Sequence, residues 1–311
     1  MDERIKVKLM NLEIENLQKK FGKNLILGEN LSKYSWFNLG GPADIFFRPE
    51  NVNQLKVFLN EIKEKKHIIN ILGAGSNTLI RDLGVKGIVI KLSSNFSEIK
   101  LPGKNIIEVG AAALDRKVAD FAKNNHISGM EFLSCIPGSI GGAVIMNCGC
   151  YGSDISKILI SIKVLDYEGN EKEIKGNEIK FSYRRSDLPK NYILLSAKLK
   201  GIVSSKELIE KTQEELIKKK KESQPSQIKT CGSTFKNTKD KKAWKLIKES
   251  SCDKFYVGNA KISEKHCNFF INEGKAKSTD IEALINKVKK EVYFKTVVNL
   301  ELEIKIIGDE Q

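Results

Sequence analysis

Residues 136–152 read I-P-G-S-I-G-G-A-V-I-M-N-C-G-C-Y-G, which gathers five of the chain's 23 glycines into one mostly apolar run. Glycine loses the most backbone entropy on ordering and has no side chain to pack. Such a cluster is therefore expected where main chain takes positive φ or lies close against a partner. Read alone, the run is either a buried turn between strands or a surface of bare amides for a phosphate-bearing ligand. A second cluster, L-G-A-G-S-N at 72–77, follows the β-like run Ile68–Leu72, and its consecutive N–H groups suit an anion nest. It lacks the G-x-G-x-x-G spacing and no helical pattern starts directly behind it, which speaks against a Rossmann dinucleotide site. With Ser76 and Asn77 adding side-chain donors, the two clusters together suit one extended pyrophosphate ligand held between two subdomains.

Working outward, residues 9–21 read as a short amphipathic helix and 35–49 as an extended segment. Asn51 is placed to cap a helix with Val52, Leu55, Phe58, Leu59 and Ile62 on one face. A strand is expected at Gly87–Leu92 and another at Ile106–Val109. Gly110 then leads into a helix at about 114–125 with Leu114, Val118, Phe121 and Ala122 at helical spacing. Residues 158–174 read as a hairpin turning at E-G-N 168–170, followed by a strand at 192–200. A charged helix without Gly or Pro runs from 206 to 222 and ends at Gln224-Pro225. Beyond it the pattern predicts a strand at 231–235, a helix at 241–250, a strand at 266–272, a helix at 279–293 and a final strand at 299–307. The expected organisation is α+β: a helical extension (1–30), a domain over 31–203 with subdomains 31–95 and 96–203, and a C-terminal α+β domain over 206–311.

The 311 residues suffice for about two domains with real cores. Apolar residues at 41% and charged residues at 30% describe a soluble globular chain. The net charge of +14 raises nucleic acid as a partner, but the lysines are spread, aromatics are only 7% and no nucleic-acid motif appears. A solvated surface that attracts an anionic small substrate fits better, and Lys218–Lys221 continues a helical pattern as a solvent face. Cysteines 135, 148, 150, 231, 252 and 267 form no C-x-x-C pair, and with His67, His126 and His266 there is no metal-ligand spacing. The N-terminus has no apolar signal core, and the weakly charged stretch 127–152 is broken by Glu131, Pro137 and glycines, so no membrane span is expected. A cytoplasmic protein with free thiols follows.

A series of blocks then becomes specific: N-L-G-G-P-A (38–43), L-G-A-G-S-N (72–77), G-M-E-F-L-S-C-I-P-G-S-I-G-G-A-V-I-M-N-C-G (129–149), F-S-Y-R-R-S (181–186), C-G-S-T-F-K-N (231–237), H-C-N-F-F-I-N (266–272) and L-E-L-E-I (300–304). In this order they closely resemble the UDP-N-acetylenolpyruvoylglucosamine reductase family, over nearly the whole chain from about residue 33. The resemblance implies an FAD-binding fold of the vanillyl-alcohol oxidase type with a C-terminal substrate domain. It also implies non-covalent FAD, NADPH as reductant, and a UDP-sugar enolpyruvyl ether reduced to UDP-N-acetylmuramate in peptidoglycan precursor synthesis. The two glycine clusters become the expected FAD site, through Gly73, Ala74, Gly75, Ser76 and Asn77 and through Pro137, Gly138, Ser139, Gly141, Gly142 and Asn147. Neither cluster carries a histidine for covalent flavin attachment.

Reducing an enolpyruvyl ether needs a hydride at the methylene carbon, stabilised charge at the adjacent carbon and carboxylate, and a proton. By residue type alone Arg184 is equally a surface arginine, Ser233 a serine in a strand or turn, and Glu303 one of two carboxylates on one strand face. The resemblance assigns Arg184 and Glu303 to polarising the carboxylate end and Ser233 to proton donation. It assigns Tyr183, Lys236, Asn237 and His266 to the substrate, although a packed tyrosine and a strand-capping histidine fit the same positions. The chain departs from the family at Thr238, where F-K-N-P would have proline, which predicts a looser turn. Between Tyr183 and Pro225 there is no room for the extra substrate-clasping loop of the longer subgroup, so the chain resembles the shorter, type II subgroup.

Overall fold

The computed structural model describes residues 14–63 and 67–310. Residues 14–21 are helical (α1), and the rest of the helix expected at 9–21 lies outside the described residues. The first unit contains β1 (Leu25–Asn30), β2 (Pro42–Phe47), α2 (Val52–Ile62), β3 (Ile69–Ile71), β4 (Thr78–Ile80) and β5 (Val85–Ile90). Its four-stranded sheet has the order β1-β2-β5-β3, with β2 and β3 parallel to β5 and β1 antiparallel to β2. Helix α2 starts as its sequence dictates, with Asn51 Oδ1 accepting the Gln54 N–H at 2.9 Å. Its face of Leu55, Phe58, Leu59 and Ile62 is buried, and the Phe58 ring stacks on Phe47 with centroids 3.9 Å apart. The 72–77 cluster is the turn between β3 and β4.

The second unit holds β6 (Ile99–Gly103), β7 (Ile106–Gly110), α3 (Asp115–Asn124), α4 (Ile140–Ile145), β8 (Leu159–Asp166), β9 (Glu171–Lys175) and β10 (Tyr192–Lys200). Its five strands run in the order β9-β8-β10-β7-β6, antiparallel at each step, and the expected 158–174 hairpin is β8–β9. Ile107, Val109, Val118, Ile140, Val144 and Leu199 form the centre of one core beneath α3 and α4. The glycine run is thus a short helix, not an open loop throughout. The face expected for α3 is corrected: Leu114 is its N-cap residue and 51% exposed, whereas the buried stripe is Asp115, Val118, Ala119 and Ala122. Those positions follow i, i+3, i+4, i+7, so an acid occupies a core position. Helix α5 (Lys206–Ser223) is capped by Ser205 and lies against α3, where the buried Gln213 donates to the Ala119 carbonyl at 3.0 Å.

The remaining elements are α6 (Ala243–Glu249), β11 (Tyr256–Val257), β12 (Ala260–Ile262), β13 (Phe270–Asn272), α7 (Ser278–Thr296) and β14 (Lys305–Ile307). Strands β11-β12-β13 form a small antiparallel sheet. Ile281, Leu284, Ile285, Val288 and Val292 of α7 pack into a core with Phe235 and Phe270, and Phe37, Leu39 and Leu79 join from the first unit. Asp82 also reaches across, its Oδ2 accepting the Ser278 N–H at 2.7 Å at the start of α7.

Three expected strands are corrected. Residues 231–235 make only isolated bridges, Ser233 with Phe269 and Phe235 with Leu302. Of the strand expected at 299–307 only β14 forms a ladder, parallel to β4 in the first unit. The expected alternation still sets burial, with Leu300 and Ile304 inside and Glu301 and Lys305 outside. The strand expected at 266–272 is reduced to β13. Among the described residues no helix is long and apolar enough to cross a membrane, and all six cysteines are free thiols.

Candidate active site

The β14–β4 pairing brings residue 303 to the end of the first glycine turn. Asn77 accepts the Lys305 N–H at 2.9 Å through its main-chain carbonyl, and its Nδ2 donates to the Glu303 carbonyl at 3.0 Å. On the other side the Glu303 N–H donates to the Thr234 carbonyl at 2.9 Å. With its backbone held from both sides, Glu303 accepts a 2.6 Å bond from Arg184 Nε, and the side chains are only 15% and 20% exposed. Glu301, two residues earlier, is 76% exposed in its side chain and lies 3.4 Å from Lys236 Nζ. The two carboxylates that sequence pattern leaves equivalent therefore sit in different surroundings. Burial pushes the Glu303 carboxyl above the usual carboxylate range against the pull of Arg184. Burial also disfavours the Arg184 charge, but Glu303 more than offsets it and holds the guanidinium protonated.

Arg184 sits in a turn at φ +58, between the paired residues Ser182 and Arg185. Among the described residues its guanidinium hydrogen-bonds only through Nε, which leaves both Nη groups unspent. The guanidinium lies 5.0 Å from the centre of the Tyr183 ring. Tyr183 Oη accepts from Asn237 Nδ2 at 3.1 Å, and Asn237 Oδ1 accepts the Ala243 N–H at 3.1 Å. Lys236 is pinned by its N–H to the Glu301 carbonyl at 2.8 Å. Ser233 is half-buried, and its hydroxyl has no partner among the described residues. Beside it Gly232 has φ +78, with nothing within 4 Å of where a Cβ would sit. His266 is half-buried, which lowers its pKa. Its Nδ1 accepts the Asn268 N–H at 3.3 Å and its ring meets Phe269 edge-on at 4.8 Å, so it shapes the turn before β13.

The two glycine clusters touch. A Cβ on Gly73 would fall 2.9 Å from Ser139 Oγ, and one on Gly75 would overlap the Tyr34 carbonyl at 1.8 Å. Gly75, at φ +71, can only be glycine, and its carbonyl accepts the Trp36 N–H at 3.1 Å. Gly141 is pressed against Ala111, whereas Gly142 is exposed with only Ser139 Oγ within 4 Å of a Cβ position. Asn147 is a buried brace: its Nδ2 donates to the Ser182 carbonyl at 3.2 Å and its Oδ1 accepts the Ser156 N–H at 3.0 Å. It thereby ties the glycine run to the Arg184 turn. A cleft of about 560 Å³ opens beside Ala74, lined among others by Lys33, Tyr34, Trp36, Lys91 and Lys229. Lys91 donates to the Gly73 carbonyl, and burial lowers its pKa to about 8. Bare backbone flanked by lysines fits an elongated cofactor with a pyrophosphate centre.

Sequence pattern overlooked two groups here. Asp115 is fully buried with both carboxyl oxygens unpartnered, and the signal for it is an acid in the first position of an otherwise apolar i, i+3, i+4, i+7 stripe. Cys148 is a half-buried thiol, pushed up to about 12 by desolvation, whose ionisable neighbours are Asp115, Arg184 and Glu303. A third finding reverses an expectation: Thr238 tightens its turn, since its N–H and Oγ1 both donate to the Lys241 carbonyl at 3.0 Å while Oγ1 accepts the Lys241 N–H at 3.0 Å. Proline there would supply neither donor and no hydroxyl to accept the Lys241 N–H.

Known proteins resemble the chain over most of its length. A family model of the UDP-N-acetylenolpyruvoylglucosamine reductase C-terminal domain matches residues 224–307, and an FAD-binding domain model matches residues 43–175. The chain is 46% identical over 298 residues to the UDP-N-acetylenolpyruvoylglucosamine reductase of Pelagibacter ubique (strain HTCC1062), covering 95% of this chain and 98% of the relative. It is 44% identical over 279 residues to that of Wolbachia sp. subsp. Drosophila simulans (strain wRi), covering 89% and 94%. The crystal structure of UDP-N-acetylenolpyruvylglucosamine reductase from Thermus caldophilus matches with a TM-score of 0.80 at 32% identity, over 91% of this chain and 98% of that one.

Proposed function

Because the chain belongs to the UDP-N-acetylenolpyruvoylglucosamine reductase family of FAD-dependent oxidoreductases, we propose that Arg184, Glu303 and Ser233 carry out its reduction of a UDP-sugar enolpyruvyl ether to UDP-N-acetylmuramate. The FAD-binding unit has the fold of the vanillyl-alcohol oxidase type. FAD would be held by the main chain of Gly73, Ala74, Gly75 and Ser76 and of Pro137, Gly138, Ser139 and Gly142, with lysines of the neighbouring cleft offsetting phosphate charge. The chemistry FAD supplies when bound is hydride transfer, received from NADPH in one half-reaction and given to the substrate methylene in the other.

The protein's own residues then divide the work. The free Nη groups of Arg184 grip the substrate carboxylate as a fork, while Glu303 fixes the guanidinium through Nε. That grip stabilises the negative charge that develops at the adjacent carbon and carboxylate once the methylene has been reduced. Ser233 gives its hydroxyl proton to that carbon. A serine is a weak acid, but the enolate-like carbon is a strong base, and Gly232 leaves its flank open. Lys236 supplies a cation for the diphosphate, and Asn237 holds the Tyr183 hydroxyl at the rim.

The observation that carries this reading is the 2.6 Å Arg184–Glu303 pair, formed by residues 119 apart and braced on Asn77 of the glycine turn. The test is to follow the two half-reactions separately under anaerobic conditions. Bleaching of bound flavin by NADPH, and its recovery on adding the enolpyruvyl ether, is the expected result. Rapid recovery with air alone, without the enolpyruvyl ether, would instead indicate an oxidase.

A further inference from the structure

The reaction described above makes no use of the two thiols that flank the glycine run 136–149. Cys135 ends the short helical turn Glu131–Cys135, and Cys150 pairs with Ser153 on the far side of the run. The fold sets them side by side. Cys150 Sγ donates to the Phe132 carbonyl of that turn at 3.5 Å, and the two thiols hydrogen-bond to each other. Helix α5 adds a cation, with Lys220 Nζ donating to the Cys135 carbonyl at 2.8 Å, while Ser134 Oγ lies 3.8 Å from Cys135 Sγ. The ionisable groups around the Cys135 sulfur are Cys150, Lys220 and Tyr151. Pairing with Cys150 outweighs burial and lowers the Cys135 thiol to about 6, which makes it a thiolate at neutral pH. The same bond pushes the Cys150 thiol up. Burial raises Cys148 and Cys231 to about 12 and Cys252 and Cys267 to about 11, so these four stay protonated. Cys135 keeps 6% exposure and Cys150 is half-buried, next to the exposed Tyr151 and Gly152. That margin admits a small hydroperoxide and excludes a folded protein oxidant.

We infer that Cys135 and Cys150 are a site of reversible oxidation, which a small hydroperoxide converts to a disulfide across the base of the glycine run. The Cys135 sulfur attacks one peroxide oxygen and the O–O bond breaks. The departing hydroxide takes up the proton that Cys135 had released, leaving a sulfenic acid and one water. The Cys150 sulfur then displaces the sulfenic hydroxyl, which leaves with the Cys150 proton as a second water. Two thiols lose two electrons and the peroxide gains them. The bond closes residues 135–150 into a ring, which removes freedom from the unfolded chain and so favours the folded one. A reducing dithiol reverses it. The ring takes in main chain proposed above to hold FAD, but the oxidation does not depend on that reading.

The test exposes the full-length protein, as wild type, Cys135→Ser, Cys150→Ser and Cys148→Ala, to hydrogen peroxide, then counts the remaining thiols and maps linked peptides by mass spectrometry. Of its six thiols, wild type is expected to lose two first, as one Cys135–Cys150 disulfide that dithiothreitol opens. The oxidised protein should melt about 3–8 °C higher than the reduced one. The oxidation rate should change less than about twofold from pH 7 to pH 8.5, over which a thiol of ordinary pKa would speed up by about tenfold or more. Cys150→Ser should stop at a sulfenic acid on Cys135 that dimedone traps, Cys135→Ser should keep its thiols over the same interval, and Cys148→Ala should form the disulfide like wild type. The inference is overturned if peroxide leaves all six thiols intact or consumes them at one common rate, or if the linked peptides join any other pair. It is equally overturned if Cys135→Ser oxidises as wild type does, or if the oxidised protein melts no higher. Should a serine variant fail to fold, the peptide map and pH profile of wild type still decide the question.

Discussion

Glu303 and Asp115 are both carboxyls withdrawn from water beside the same glycine segments, yet the fold treats them oppositely. Glu303 is held through its own N–H and carbonyl, and its carboxylate is matched to Arg184. Asp115 is as deep as a side chain can be and has been given no partner. The difference separates two kinds of polar burial. A group satisfied within the chain costs stability when its partner is removed, whereas a group left unsatisfied returns stability when it is itself removed. The Glu303 carboxylate is matched within the folded chain, and the Asp115 carboxyl is not.

The largest expected effect lies on the Glu303 side. Ser233→Ala should slow substrate-dependent flavin reoxidation by about a hundred- to ten-thousandfold while flavin reduction by NADPH stays near wild type. Stopped-flow traces that fall equally in both half-reactions would remove Ser233 from the protonation step. Next, Glu303→Ala should slow the same half-reaction by about a hundredfold or more and lower stability in urea by up to about 3 kcal/mol, because Arg184 is left buried and unpaired. The double variant Arg184→Met with Glu303→Leu should recover most of that stability and none of the rate, which separates the pair's cost from its use.

A smaller effect tests the other side through pH. The folded-state pKa of Asp115 is raised above its ordinary value of 3.8 by burial. Its contribution to stability is therefore fully present below that value and is lost as pH rises through the raised one. Asparagine does not titrate, so flavin-free Asp115→Asn should out-melt wild type by about 2–6 °C near pH 8, with the gap shrinking toward pH 4. A gap that widened on acidification would mean that the carboxylate has an ionic partner in the fold. The smallest effect belongs to Asn77→Ala, which removes one bond to the Glu303 carbonyl and should cost about 1 kcal/mol with little change in FAD affinity.

What sequence pattern conveys differs between these regions for a physical reason. The β8–β9 hairpin, β10 and α2 are built from neighbours in the chain, and alternation, a turn and a cap suffice to locate them. Residues 231–235 and 299–304 alternate like strands but pair piecemeal, Ser233 with Phe269 and Phe235 with Leu302, so alternation sets their burial and overstates their regularity. Choosing Glu303 over Glu301 needs an arginine 119 residues away, which no local pattern carries. Asp115 is hidden differently. Leu114 beside it looks like the natural start of an apolar face, and only the fold shows that the helix is rotated to turn the acid inward.

The parallel pairing of β14 with β4 also sets an order in time. Asn77 and Glu303 are 226 residues apart, and at a synthesis rate of about 5–20 residues per second the first glycine turn leaves the ribosome many seconds before its brace exists. Until Lys305–Ile307 emerge, β4 is an open strand edge. A chain that stops short of Lys305–Ile307 therefore has the 72–77 turn without its brace and β4 without its partner strand.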